Sequence, residues 1–372
     1  MIKGGSLLLA SLGLASAVAC SSNNSIVADG GAAASCSPAP TVEDTGLQEC
    51  KGCTTSQACT PSAPLEGCCT WVSEPKSALA RATTLHRYNA PAGDTAVDLS
   101  CLASPPAQGT PRMVTLTGYV WLFASGLDSQ GVKVEVFKET NPNTDGAIDA
   151  TALGSYTTST SDAKYPLDTT WSSKCPSPDG CSFRRYTIAN VPTETPLVIK
   201  TSDATGTGAW ATLYDYNVYF SNSSLTAGDG GADVARYDAT VAAAGDPGSV
   251  AGTVGQTISA GAGLLAGEVH DCGDVRLSGA TVGVTVPPAQ GNLFYFTSDE
   301  GNPLPDNSSS STSILGLWGG VNFPTGKPIR VTAMGKDPAS PGKYVMLGTY
   351  VVQVFPDAVT AISLRGRRPW QP

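Results

Sequence analysis

Histidine is nearly missing, with two residues in 372, His86 and His270. A zinc hydrolase needs several imidazole or carboxylate ligands at set spacings. His86, within Leu85-His86-Arg87-Tyr88, lacks the acid spacing of a ligand motif, and His270 falls in a strand pattern, so both read as structural histidines. Charge is also sparse, at 14% of residues against roughly 25% in typical domains. The formal net charge is -9, with no Lys/Arg-rich run. A phosphate backbone would be repelled, which argues against nucleic-acid binding. No Ser sits in a Gly-x-Ser-x-Gly elbow, and no Gly-rich phosphate loop precedes a helix. No motif implies a cofactor. What is abundant is Gly (41) and Pro (27), so turns are many and long helices few. The length suffices for two or three domains with their own cores.

The first residues read as an export signal spanning 1–19. Lys3 supplies positive charge, Gly4 to Ala19 carry none, and Ala17-Val18-Ala19 precede Cys20. The uncharged run is shorter than the ~20 apolar residues of a membrane span and is diluted with Gly and Ser. Small residues before a Cys resemble the bacterial lipobox, which implies that Cys20 is lipidated and becomes the mature N-terminus. Ala17 stands where that family usually has Leu, and it also suits ordinary signal peptidase. Cysteine parity agrees with lipidation, since eleven Cys leave an even set once Cys20 is removed. Residues 20–35 are small and polar and read as a flexible tether. The expected location is the bacterial cell envelope, at the outer membrane, held by the N-terminal lipid.

Residues 36–110 form a Cys-rich segment. Cys36, Cys50, Cys53, Cys59, Cys68 and Cys69 crowd together with few large apolar side chains, so covalent staples are expected there. Zinc is the rival reading, because Cys50-Lys51-Gly52-Cys53 has ligand-like spacing. A thioredoxin-like role would want a βαβ pattern, which is not visible. Cys175 and Cys181 close a short turn-rich loop, and Cys101 and Cys272 are left to pair with each other across the chain. Eight cysteines other than Cys20 and that loop pair allow 105 connectivities.

The chain repeats itself. Asn190-Val191-Pro192-Thr193-Glu194-Thr195-Pro196 returns as Asn322-Phe323-Pro324-Thr325-Gly326-Lys327-Pro328, with Asn, Pro, Thr and Pro in register. Upstream of each lies a strand, turn and strand: Gly118 to Phe123 followed by Val132, Val134 and Val136, and Gly267 to Asp271 followed by Thr281 to Val284. Gly118 registers on Gly267. The first copy carries extra residues between 138 and 182, expected in surface loops. The organisation is therefore repeat one at 111–221, a linker at 222–263, and repeat two at 264–372. Asp233 to Ala244 places Val234, Tyr237 and Val241 at helical spacing ahead of Gly245, which predicts a short linker helix there.

Gly-x-Val-x-Asp, then Leu277-Ser278-Gly279-Ala280-Thr281-Val282, then Asn322-Phe323-Pro324-Thr325-Gly326 resembles the carboxypeptidase regulatory-like family. That resemblance implies an all-β chain of two tandem transthyretin-like (prealbumin-like) β-sandwiches. In zinc carboxypeptidases this module is not the catalytic one, so the resemblance implies no enzyme activity. The first copy departs by having Leu122 where the second has Asp271.

Three constellations remain. Tyr119, Trp121 and Phe123 occupy the strand face where the second copy has Glu268, His270 and Cys272. Either the N-terminal segment or the linker helix covers them, or Tyr119 and Trp121 form a glycan- or protein-binding patch. Asn141, Asn143, Asp145 and Asp149 imitate a calcium loop, although position twelve is Ala152, which favours a plain turn. Lys133 raises an isopeptide bond, which would need a buried Lys beside a carboxylate. The resulting reading is a non-catalytic, lipid-anchored envelope protein that binds or spaces, with an envelope protein or glycan as partner. A carbohydrate-binding module is the alternative. A hydrolase with paired carboxylates is a further one, because such pairs are set in space rather than in sequence.

Overall fold

A computed structural model describes residues 82–88, 96–102, 105–123, 128–165, 181–228, 231–286, 288–289, 293–299, 302–340 and 344–371. The chain is all-β. Its strands are β1 (His86–Arg87), β2 (Met113–Leu122), β3 (Val132–Lys138), β4 (Gly154–Thr157), β5 (Lys164–Tyr165), β6 (Cys181–Pro192), β7 (Leu197–Asp203), β8 (Leu213–Val218), β9 (Thr226–Ala227), β10 (Asp233–Arg236) and β11 (Ala239–Val241). Helix α1 (Asp246–Thr253) separates these from β12 (Gly263–Val269), β13 (Leu277–Ser278), β14 (Thr281–Val284), β15 (Phe294–Phe296), β16 (Pro305–Asp306), β17 (Leu317–Phe323), β18 (Pro328–Lys336), β19 (Tyr344–Gln353) and β20 (Val359–Leu364).

The repeats share a sheet. Nine strands run in the order β16-β15-β17-β12-β20-β8-β7-β3-β4, and the join is the parallel pair β8–β20. A sheet of β5-β6-β2-β10-β9, with β11 also on β2, covers the β8-β7-β3 end. A second sheet, β14-β18-β19, covers the other end from the opposite side. Strand alternation explains the offset. Val136 and Ile199 point into the first core, while their neighbours Phe137 and Val198 point into the second. Val132, Val134 and Val136 are fully buried, each contributing roughly 1.5–3 kcal/mol by area.

The duplicated motif follows from backbone geometry. In each copy the first strand is antiparallel to the strand ending in Asn-x-Pro and parallel to a later strand: β2 with β6 and β10–β11, β12 with β17 and β20. A Cβ on Gly118 would lie 1.7 Å from the Tyr237 carbonyl oxygen, and one on Gly267 would lie 2.0 Å from that of Ile362. Glycine is required at both sites by this close approach. Across each glycine lies a fully buried aromatic, Tyr186 or Trp318. Asn190 and Asn322 both adopt the left-handed conformation, at φ 60° and 64°, which Asn tolerates better than most residues.

Two expectations need correction. Asp233 to Val241 is not a helix: β10 and β11 lie parallel to β2 and bury Val234, Ala235, Ala239 and Val241. Helical and broken-strand spacings coincide here, because the chain bends at Tyr237-Asp238, where Asp238 accepts the Tyr119 N–H at 2.9 Å. The helix starts later, with Pro247 in its first turn and the Asp246 carboxylate accepting the Ala243 N–H. Much of the 222–263 stretch therefore completes the first sandwich. The extra residues of the first copy are also not all free surface. Asn143 donates to the Trp370 carbonyl at 2.7 Å, Arg330 donates to the Asn143 carbonyl, and Ile148 and Ala152 pack on the second core. The Cys101–Cys272 disulfide adds a covalent tie between the segment before repeat one and the end of β12.

Candidate functional site

The offset of the covering sheets leaves part of the shared sheet without a strand layer over it among the described residues. A cleft of about 1250 Å³ lies there, walled by Trp121 and Phe123, the Tyr237-Asp238 bend and α1. Its floor is three parallel strands in register. Leu264, Val359 and Leu213 form one row, and Ala266, Ala361 and Asp215 form the next. Glu268 sits beside Ser363, and Asn217 donates to the Ser363 carbonyl at 2.6 Å. His270, Arg365 and Tyr219 lie beyond. Six residues of strand span about 20 Å, and over that length the floor passes from aliphatic to small to charged.

The charged end is a chain of pairs. Glu268 accepts Arg276 Nη2 at 2.8 Å and Nε at 3.1 Å, and His270 Nε2 lies 2.7 Å from Glu268. His270 Nδ1 lies 2.8 Å from Asp274, which also pairs with Arg365. Burial alone would lower the His270 pKa, but hydrogen bonds and charge from Asp274 and Glu268 outweigh it and raise the value to about 9. The imidazole is therefore a cation at neutral pH. Burial likewise opposes ionisation of Glu268, and its His270 and Arg276 partners still bring it to about 2. Among the described residues, Asp215 has no cation in hydrogen-bond contact. Burial raises it to about 6, although the Tyr237 hydroxyl donates to it.

Arg368 closes this end. Its Nε donates to Asn217 Oδ1 at 2.6 Å and Nη2 to the Asn217 carbonyl at 2.8 Å, with the guanidinium 5.5 Å from the centre of the Tyr219 ring. Among the described residues no carboxylate forms an ion pair with it. Burial lowers its pKa to about 10, still a full cation at neutral pH.

Glu194 occupies the place of Gly326 in the other copy, and both have positive φ, 53° and 70°. The strained Glu is held by its side chain, which accepts the Asn222 and Gly109 N–H groups and the Tyr219 hydroxyl. It fixes the cleft's rim rather than facing a ligand freely.

Of the residues singled out in sequence, Trp121 lines the cleft, and its ring packs on Phe183 and Tyr165 at 4.5 and 5.0 Å between centroids. Tyr119 is half-buried against Tyr165. Among the described residues, Tyr165 of β5 and Phe183 of β6 cover this face. Asn141, Asn143, Asp145 and Asp149 form a turn in which the Asn141 carbonyl accepts three N–H groups. The position-seven carbonyl, that of Ala147, which a calcium ion would need, accepts the Thr140 N–H and hydroxyl, and the Asn143 side chain is held by the Trp370 carbonyl. No cluster of three or more His, Cys, Asp or Glu able to hold a metal occurs among the described residues. Lys133 pairs with Glu135 at 2.7 Å on the outer face. Asp271 is structural: it pairs with Arg87 and accepts the Gly273, Val275 and Asp98 N–H groups. Cys20, Cys36, Cys50, Cys53, Cys59, Cys68, Cys69 and Cys175 lie outside the described residues, as does the Cys181 side chain. Sequence reasoning placed Glu268 and His270 on one face but missed Asp215, Arg365 and Arg368, which the β12–β20 and β8–β20 pairings bring to them.

No protein-family sequence profile matches the chain, and no curated protein matches it. Among solved structures, a mutant form of the shaft pilin SpaA of Lactobacillus rhamnosus GG aligns at 9% identity and a TM-score of 0.18, covering 68% of this chain and 100% of that one. A mutant form of the major pilin of Streptococcus pyogenes aligns at 11% identity and 0.16, covering 67% and 99%. A leucine-rich repeat protein of Bacteroides thetaiotaomicron aligns at 10% and 0.19, covering 68% of this chain and 26% of that one.

Proposed function

We propose that the protein is a non-catalytic binding module of the bacterial cell envelope, exported, anchored at the outer membrane through a lipid on Cys20, and engaging its partner in the cleft between its two repeats. The observation that carries this is the cleft's construction. Floor and walls come from both repeats, which are tied by a shared sheet and the Asn143 contacts. A pre-formed concave site with an apolar part and a few placed polar groups is what ligand binding requires. The repeats themselves are proposed to be regulatory-like sandwiches of the transthyretin type.

A hydrolase is the second reading, favoured by Asp215 and Glu268 sharing the cleft with pKa values pushed apart. Against it, both Glu268 oxygens are already engaged by Arg276 and His270, so Glu268 is not free to act as the second carboxylate of a catalytic pair. Two experiments test the proposal. Radiolabelled fatty acid should enter the wild-type protein and not Cys20→Ala; label surviving in that variant would remove the anchor. The Cys20→Ala chain should retain an envelope component in the cleft without hydrolysing it, and turnover abolished by Asp215→Asn would establish the hydrolase instead.

A further inference from the structure

The grading of the cleft floor specifies a ligand class, an inference that rests on the cleft being the binding site. The row Leu264, Val359 and Leu213 offers no side-chain hydrogen-bonding group, and Phe123, Phe294 and Phe296 cluster with Leu264 at that end. A sugar placed there would leave its hydroxyls unpaired, which is unfavourable in a desolvated site. The middle row has Ala266 and Ala361, small enough for a chain to pass, beside Asp215, which accepts the Tyr237 hydroxyl. The far end holds Arg276, Arg365, Arg367, Arg368 and His270 against Glu268 and Asp274. Cations exceed carboxylates there, in a protein whose net charge is -9. Arg368 stands out, being buried, lining the cleft, and bonded among the described residues to neutral groups alone. A buried guanidinium without a counter-ion is costly, and the oxyanion that suits it is a carboxylate or phosphate.

We propose that the cleft binds an amphiphile with a carboxylate or phosphate head, the head against Arg368 and Arg365 and the apolar body lying over Ala266 and Ala361 toward Leu264, Val359 and Leu213. Head chemistry from a fatty acid and from a phospholipid-type ester is the same for this end, and the probes separate them.

The test uses the full chain carrying Cys20→Ala, titrated by calorimetry with decanoate, decyl phosphate, decanol and cellotetraose, each below any micelle threshold. One-to-one binding of decanoate, decyl phosphate or both is expected, with decanol at least tenfold weaker. Arg368→Gln should weaken the anionic probe at least tenfold, and Ala361→Phe should block it by filling the floor. Because Arg368 also holds Asn217, folding of the variant is checked by circular dichroism. If it is unfolded, the wild type must still show affinity falling several-fold between low and high salt. Decanol binding as tightly as decanoate, salt-independent binding, or an unaffected Ala361→Phe overturns the inference. Cellotetraose binding with no amphiphile bound overturns it while leaving the cleft as a binding site. No probe bound, together with no envelope component retained, removes both.

Discussion

Single residues carry sharply different burdens in this chain, and Glu139 illustrates one of them. It is buried beside the turn that latches onto the second repeat, and burial, reinforced by Asp145, raises its pKa to about 8. The folded state holds its proton where the unfolded state has lost it. Stability attributable to this group is therefore greatest below the unfolded pKa near 4.5 and declines as pH rises toward 8, where the penalty becomes complete. Glu139→Gln should raise stability at about pH 8.5 by on the order of 3 kcal/mol and leave it nearly unchanged at about pH 4. Urea denaturation at both pH values checks this, and equal effects at both would show that ionisation of Glu139 is not the cause. Glu194 and Arg368 are the complementary cases, polar side chains whose acceptors or donors are used to set the cleft's edge.

Elements show how far the sequence could be read. The repeat was legible because Gly118 and Gly267, and Asn190 and Asn322, answer backbone demands that recur in each copy. Gly118→Ala and Gly267→Ala should each destabilise by several kcal/mol, since a backbone carbonyl fills the space. Thermal unfolding measures this, and a loss under about 0.5 kcal/mol at either site would contradict the packing described. The sandwich class and the alternating Val strands were legible for similar local reasons. Parallel pairing was not. β10, β11 and β20 find their partners far along the chain, and Val234, Tyr237 and Val241 suit a helix as readily as a bent strand. The Cys101–Cys272 pairing was suggested by setting aside the clustered N-terminal cysteines and the loop pair, whereas the cleft's charged end depends on β20 lying between β12 and β8, which no spacing encodes.

At the scale of the whole molecule, the shared sheet makes two repeats one mechanical unit. Splitting them would expose β8 and β20 edges and open the second core where Tyr216, Phe137 and Val198 of repeat one enter it. Calorimetry should therefore give one unfolding transition across 111–372, and two separable transitions would refute the coupling. The Cys101–Cys272 bridge spans 171 residues, so its removal should cost at most about 5 kcal/mol in the chain-entropy model while keeping the transition single. Such coupling keeps the cleft's two sides in fixed relation, which is what a pre-formed binding site needs. The most direct test is amide hydrogen exchange of the full Cys20→Ala chain with and without solubilised envelope components. Slowed exchange confined to residues 213–219, 264–270 and 359–368 is the predicted result. Unchanged exchange there, or protection confined to other surfaces, would contradict the cleft as the place where this protein binds.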